Sequence, residues 1–271
     1  MRKILNDNIP KISIINENLH VHPFIFSIPH SGIYLTEQMA TELHNDVILA
    51  NTDWYLPECY SFLHDQGYTI LINNVSRYVI DPNRSIEASE ISDNHRPLIY
   101  TKTTFGKEMY SAALSREETS SRIREFYQTY HTALQRLITE KQKRFEKVYL
   151  IDLHSFGKEI DADVVLGNGN GSTMQRYTLH SFKNAFSDEG FRTALNDPYD
   201  GGFITKHYGA KDSPCESLQI ELSYNAYICN RDFTEEECPS IDLFLMTNCQ
   251  RKLKRVFARI NAEIEKSIYL S

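Results

Sequence analysis

The chain has 271 residues, 41% hydrophobic and 24% charged, the balance of one folded domain with a full core rather than of a disordered or membrane chain. A formal net charge of −7 argues against partners held by phosphate neutralisation, so nucleic acid is not expected. Asn6, Asp7 and Asn8 interrupt any targeting segment, no run of about 18 apolar residues occurs, and five scattered cysteines without a C-x-x-C pair fit reduced thiols. The chain therefore reads as a single cytoplasmic domain over residues 1–271, with no membrane partner.

Val21 to Ile28 reads as a strand that ends in Pro29, His30, Ser31 and Gly32. Proline and glycine around His30 force a turn and let backbone approach a ligand, although a strand-end histidine often serves the fold alone. His20 and His22 sit at the starting end of the same strand and are set aside. Leu35 to Leu43 suits a short helix. Asn51, Thr52 and Asp53 precede an aromatic, apolar run through Leu63 that suits another, so Asp53 is either its N-cap or a carboxylate aimed into a cleft. Tyr68 to Asn73 is a strand leading into SRYVIDPNR, residues 76–84. There Arg77 and Arg84 beside Asn83 offer planar forks suited to a carboxylate; the alternative is surface pairing with Glu87, Glu90 or Asp93. Residues 94–106 are irregular, with hydroxyls at Thr101, Thr103 and Thr104, the last a candidate substrate contact.

Ile123, Phe126, Tyr127, Tyr130, Leu134, Leu137 and Ile138 recur at spacings of three and four, an amphipathic helix whose tyrosines read as core. It leads into Val148 to Phe156, VYLIDLHSF, a buried strand. Alternation puts Asp152 and His154 on one face, at the carboxyl end where ligands gather in open α/β sheets. Asp152 is expected behind His154, accepting its N–H, in a pair that is functional or merely structural. Ala162 to Leu166 is a further strand; the G-N-G-N-G that follows, residues 167–171, lacks the Rossmann and Walker spacings and reads as a flexible turn. Asn196 to Gly209 has the polar, Gly-rich and aromatic composition of an active-site loop, with Thr205, His207 and Tyr208 in reach of a substrate. In the last strand, Ser217 to Leu222, alternation separates Leu218, Ile220 and Leu222 from Gln219 and Glu221. A carboxylate at that position must be paired or have a chemical task. Leu253, Val256, Phe257, Ile260, Ile264 and Ile268 mark an amphipathic closing helix. Strands alternating with helices predict an α/β sheet with crossover connections.

Strand ends and a helix start thus supply His30, Asp53, His154 and Glu221, beside an arginine loop. Two imidazoles and a carboxylate are the usual ligands of a hydrolytic zinc, and a further carboxylate is then needed to move the proton from water to the leaving nitrogen. Glu221 is the candidate for that task. Taken in order, PHSG (29–32), TDW (52–54), SRYVIDPNR (76–84), TKTTF (101–105), DLHS (152–155), GGFITKHYG (201–209) and QIEL (219–222) resemble the N-formylglutamate amidohydrolase family over roughly residues 24 to 228.

The resemblance implies a fold like that of zinc carboxypeptidases and aspartoacylases, a three-layer αβα arrangement around a mixed, mostly parallel sheet. It implies cleavage of N-formyl-L-glutamate, an acidic small molecule, to L-glutamate and formate, a step of histidine degradation. It further implies one Zn2+ per chain, or another divalent metal, on His30 and His154, with Arg77, Asn83 and Arg84 holding substrate carboxylate and Glu221 as catalytic acid/base. The wider superfamily supplies its first histidine and acid as H-x-x-E, whereas Ile33 stands third after His30; Asp53 is the candidate for the acidic ligand. The family usually reads DLNR where this chain has DPNR, which bears on the substrate held by the arginine loop. Two rival readings are a zinc carboxypeptidase or deacylase for another N-acyl amino acid or small peptide, and a non-catalytic protein that holds an acidic metabolite. Glu221 argues against the latter.

Overall fold

A computed structural model describes residues 3–87, 97–228 and 238–269; Glu90, Asp93, Cys229 and the start of the irregular 94–106 stretch lie outside them. In chain order the elements are β1 (Lys3–Ile4), β2 (Ile12–Ile15), β3 (Phe24–Ile28), β4 (Tyr34–Leu35), α1 (Glu37–Glu42), α2 (Leu56–Cys59), α3 (Phe62–Asp65) and β5 (Thr69–Asn73). They continue with α4 (Arg116–Arg122), a π-helical turn (Ile123–Tyr127), α5 (Gln128–Gln142), β6 (Val148–Phe156), β7 (Val164–Gly167), α6 (Arg176–Asp188), β8 (Thr193–Leu195), α7 (Phe203–Tyr208), β9 (Cys215–Ser223) and α8 (Leu243–Tyr269).

The apolar runs of the central strands are explained by burial on both faces, as expected where helices cover a largely parallel sheet on each side. Phe24, Phe26 and Ile28 of β3, Tyr149, Ile151 and Leu153 of β6, and Leu218, Ile220 and Leu222 of β9 pack with Phe182 and Phe186 of α6 and Leu253, Phe257 and Ile260 of α8. The alternate residues Ile25, Leu71, Val148 and Leu150 meet Tyr130, Ala133, Leu134, Leu137 and Ile138 of α5 on the other face. The seven strands lie in the order β2-β5-β3-β6-β9-β7-β8. β5, β3, β6 and β9 are mutually parallel, β2 and β7 join them antiparallel, and β8 is parallel to β7. This is the α/β sheet with crossover connections that the alternating pattern predicts, in the mixed, mostly parallel form between helices that the resemblance implies. β6 and β9 pair in register, with Asp152 opposite Gln219 and His154 opposite Glu221, so the polar residues of both strands share one face.

Elements additional to the sequence reading are β1, β2, β4, α4, α6 and β8. The stretch after Asn196 also departs from it, because residues 203–208 form α7 rather than a loop. Gly32 has a structural reason in the fold: a Cβ there would stand 2.4 Å from the Asn74 carbonyl carbon and the Val75 oxygen. The glycine turn at 167–171 is a 3-10 turn in which the Asn168 side chain accepts from the Gly171 N–H at 3.1 Å, and Asn196 and Asn168 exchange two bonds of 2.9 Å. Among the described residues, no helix is long and apolar enough to cross a membrane.

Candidate metal-binding active site

The carboxyl ends of β3, β5, β6 and β9 converge. His30 stands two residues beyond β3, and its loop is tied to the one before α2 by the Asp53 N–H donating to the His30 carbonyl at 3.2 Å and Ser31 Oγ donating to the Asp53 carbonyl at 2.7 Å. The Asp53 side chain does not cap α2, whose N-cap position is Tyr55 with φ 57° and no side-chain bond. Its Oδ2 instead faces two imidazoles, 3.1 Å from His154 Nδ1 and 3.6 Å from His30 Nδ1, while Oδ1 accepts from Ser155 Oγ at 3.1 Å. One ligand atom from each of His30, Asp53 and His154 lies within 4.8 Å of the others, and all three residues are buried.

Behind each imidazole stands a second carboxylate. His154 Nε2 is 2.8 Å from Asp152 Oδ2, as the two-residue spacing on β6 predicts, and Asp152 Oδ1 accepts from Ser27 Oγ at 2.6 Å. Ser27 is in turn 2.8 Å from the Tyr130 hydroxyl, which gives that helix tyrosine a polar role besides packing. His30 Nε2 is 2.6 Å from Asp81 Oδ1, a partner the sequence reading does not assign. Asp81 is fully buried and also accepts from Arg77 at 2.8 Å and from the Asn83 N–H at 2.9 Å.

This arrangement fits a divalent cation. Each neutral imidazole has one N–H, yet each ring stands between two carboxylate oxygens, so N–H···O bonds to Asp81 and Asp152 leave both Nδ1 lone pairs facing Asp53. A cation among the three satisfies all of them, and outer carboxylates that orient imidazole ligands are a general feature of such centres. Electrostatics agree on the sign of the site. Burial opposes charge on Asp53, but the neighbouring His154 and His30 hold its carboxyl well below the usual range. Burial likewise opposes charge on Asp81, and His30, Arg77 and Arg84 overcome it. His154 is raised against burial, chiefly by Asp152.

A cavity of about 530 Å³ opens over these groups and is lined by His30, Asp53 and His154 together with Glu221, Arg77, Arg84, Asn83 and Thr104. Glu221 is pushed up to about 8 by burial, against the pull of His154. Gln219 holds it: Gln219 Oε1 accepts from the Gly202 N–H at 2.7 Å, which aims Nε2 at Glu221 Oε1, 2.9 Å away. Arg77 and Arg84 both turn toward Asp81, at 2.8 and 3.8 Å, and each keeps a buried Nε with no hydrogen-bond partner among the described residues. Asn83 Oδ1 accepts from the Ile204 N–H at 2.8 Å, so its carbonyl end is engaged in the fold while the residue lines the cavity. Thr104 Oγ1 accepts from Asn51 Nδ2 at 2.5 Å.

Two expected substrate contacts stand outside this cavity. Thr205 and His207 are absent from the cavity lining, because α7 winds where a loop is predicted. Thr205 is fully buried beside Gly201, and His207 is exposed, stacked on Phe203 with ring centroids 4.7 Å apart. Lys158, by contrast, lines the cavity and was not singled out; a lone exposed lysine has no distinguishing sequence pattern. Asp81 could have been found by asking what two arginines within four residues of one carboxylate would pair with.

With the geometry in place, comparison with known proteins is informative. A family model described as N-formylglutamate amidohydrolase matches residues 22–228. N-formylglutamate deformylase of Pseudomonas putida is 28% identical over 218 residues, covering 76% of this chain and 82% of that protein; the Pseudomonas aeruginosa enzyme of the same name is 27% identical over the same length. Among solved structures, N-formylglutamate amidohydrolase from Ralstonia eutropha JMP134 superposes with a TM-score of 0.81 at 23% identity, covering 96% of this chain and all of the other. The Agrobacterium tumefaciens gene product Atu2144 gives 0.74 at 17% identity, covering 97% of this chain and all of that one. Matched over three quarters of its length and sharing the fold throughout, the chain belongs to the N-formylglutamate amidohydrolase family, whose members are hydrolases of amide bonds.

Proposed function

We propose that the chain hydrolyses N-formyl-L-glutamate to L-glutamate and formate, using Zn2+ held by His30, Asp53 and His154. The observation that supports this most is the convergence of those three side chains with Glu221 and two arginines on one cavity. Zinc bound there would supply Lewis acidity, polarising the formyl carbonyl and lowering the pKa of water toward about 7. Asp81 and Asp152 accept the Nε2 protons and so keep both Nδ1 nitrogens free to ligate. Arg77 and Arg84, which line the cavity, hold substrate carboxylate with their guanidinium groups, with Asn83 beside them. Glu221 takes a proton from the attacking water as the new C–O bond forms, and returns it to the amide nitrogen as the C–N bond breaks. In the same reading the protein is a cytoplasmic enzyme of histidine degradation.

The test is formate release by purified, zinc-analysed protein from N-formyl-L-glutamate, set against N-acetyl and N-succinyl amino acids and short peptides. Turnover of N-formyl-L-glutamate that disappears on chelation and returns with zinc is expected. Hydrolysis of only the other substrates would move the assignment to a different deacylase or a carboxypeptidase, and binding without turnover to a metabolite-binding protein.

A further inference from the structure

The loop that carries Asp81, Asn83 and Arg84 is held from outside by a single helix. Its carbonyls are taken in turn: Arg122 NH1 donates to Val79 O at 3.2 Å, His131 Nε2 to Pro82 O at 2.9 Å, and the Tyr127 hydroxyl to Arg84 O at 2.8 Å. Arg122 is itself fixed by Glu118 at 2.6 Å, and His131 Nδ1 accepts from the Tyr208 hydroxyl of α7 at 2.8 Å. The same helix therefore ties the loop to α7, which lies on the other side of Asn83.

These three side chains reach one loop because of the π-helical turn between α4 and α5. There the Gln128 N–H donates to Ile123 O, five residues back, so the turn takes up one residue more than an α-helical one. In an unbroken α-helix the residue returning to the side of Arg122 one turn on would be Phe126, and Tyr127 would point away. With the π turn, Tyr127 returns to that side, and His131 follows four residues later with its ring centroid 4.2 Å from that of Tyr127. π turns are often found at functional sites.

We infer that the π turn, through Arg122, Tyr127 and His131, is the positioning device that sets the carboxylate-holding loop. None of the three lines the cavity, so they reach the site only through the loop, Asp81 included, and reach substrate through Asn83 and Arg84. This inference rests on the proposed role of those two residues, and it adds the element that aims them.

Tyr127→Phe keeps the ring and removes only the bond to Arg84 O. It is expected to raise KM for N-formyl-L-glutamate about three- to tenfold, the effect of losing one hydrogen bond, with kcat, bound zinc and Tm nearly unchanged. Hydrogen exchange at the amides of residues 81–84 should quicken without a general increase elsewhere. A lowered Tm with unchanged KM and unchanged loop exchange would make Tyr127 a packing residue and overturn the inference. If the parent protein does not turn over N-formyl-L-glutamate, the proposed reaction fails instead. The exchange pattern of Tyr127→Phe then decides the positioning role alone, with localised quickening supporting it and an unchanged loop refuting it.

Discussion

Asp81 joins two tasks that the sequence presents separately, since its carboxylate backs His30 while its other oxygen pairs with Arg77. Asp81→Asn keeps the shape and removes the charge, so we expect metal affinity to fall about 10- to 100-fold and KM to rise as Arg77 loses its anchor; a metal titration of the folded variant checks the first effect. Asp152 was legible because two positions along one strand must share a face. Asp81 was not, because a carboxylate in a turn with arginines reads as an ordinary ion pair until His30 arrives from another strand, 51 residues away in sequence. Glu221→Gln should leave a folded, metal-loaded protein with kcat reduced about 10²- to 10⁴-fold, the usual worth of general acid–base catalysis. Loss of metal in that variant would mark Glu221 as a ligand, and near-normal turnover would remove it from the mechanism.

Long elements with a clean period were readable: β6 and β9 as apolar strands with polar groups toward one end, and α5 from its stripe of threes and fours. Shorter ones depend on tertiary bonds that no local pattern announces. α7 is six residues long, follows two glycines and has no side-chain N-cap. Its first free N–H groups are satisfied from elsewhere, Gly202 by Gln219 and Ile204 by Asn83, which is why composition alone suggested a loop. The same contacts make Gly202 sensitive. A Cβ there would lie 2.3 Å from Asn83 Nδ2, so Gly202→Ala should cost about 1–3 kcal/mol through overpacking, read from denaturant midpoints, and should raise KM by displacing Asn83. A variant with wild-type stability and KM would show that the loop gives way without consequence. α6 was visible in principle, since Leu179, Phe182 and Phe186 recur at spacings of three and four; the glycine turn before it drew the reading toward irregular structure.

For the molecule as a whole, His131 makes stability depend on acid. Burial pushes its pKa down from 6.5 to about 4, so between those values the unfolded chain binds a proton that the folded one refuses. The contribution of His131 to stability should therefore be constant above pH 6.5 and change progressively, to the cost of the folded state, as pH drops toward 4, measured as the slope of the urea midpoint over that range. His131→Phe should flatten this slope, and an unchanged slope would assign the acid sensitivity to other groups. The register of β6 against β9 acts at the same scale. Neighbouring strands lie about 4.8 Å apart, and His154 stands opposite Glu221, so the gap between the proposed ligand and the proposed base is the pitch of a peptide ladder. Side-chain replacement cannot retune that length. The arginine loop, the 198–202 wall and Lys158 at the rim can all change in a descendant protein while the two groups stay equally spaced. Only an insertion or deletion within a strand would alter the gap, and a slip of one residue turns every side chain over, sending the histidine or the glutamate into the layer beneath α8. Substrate range in this scaffold is free to drift, whereas its chemistry is locked to the backbone.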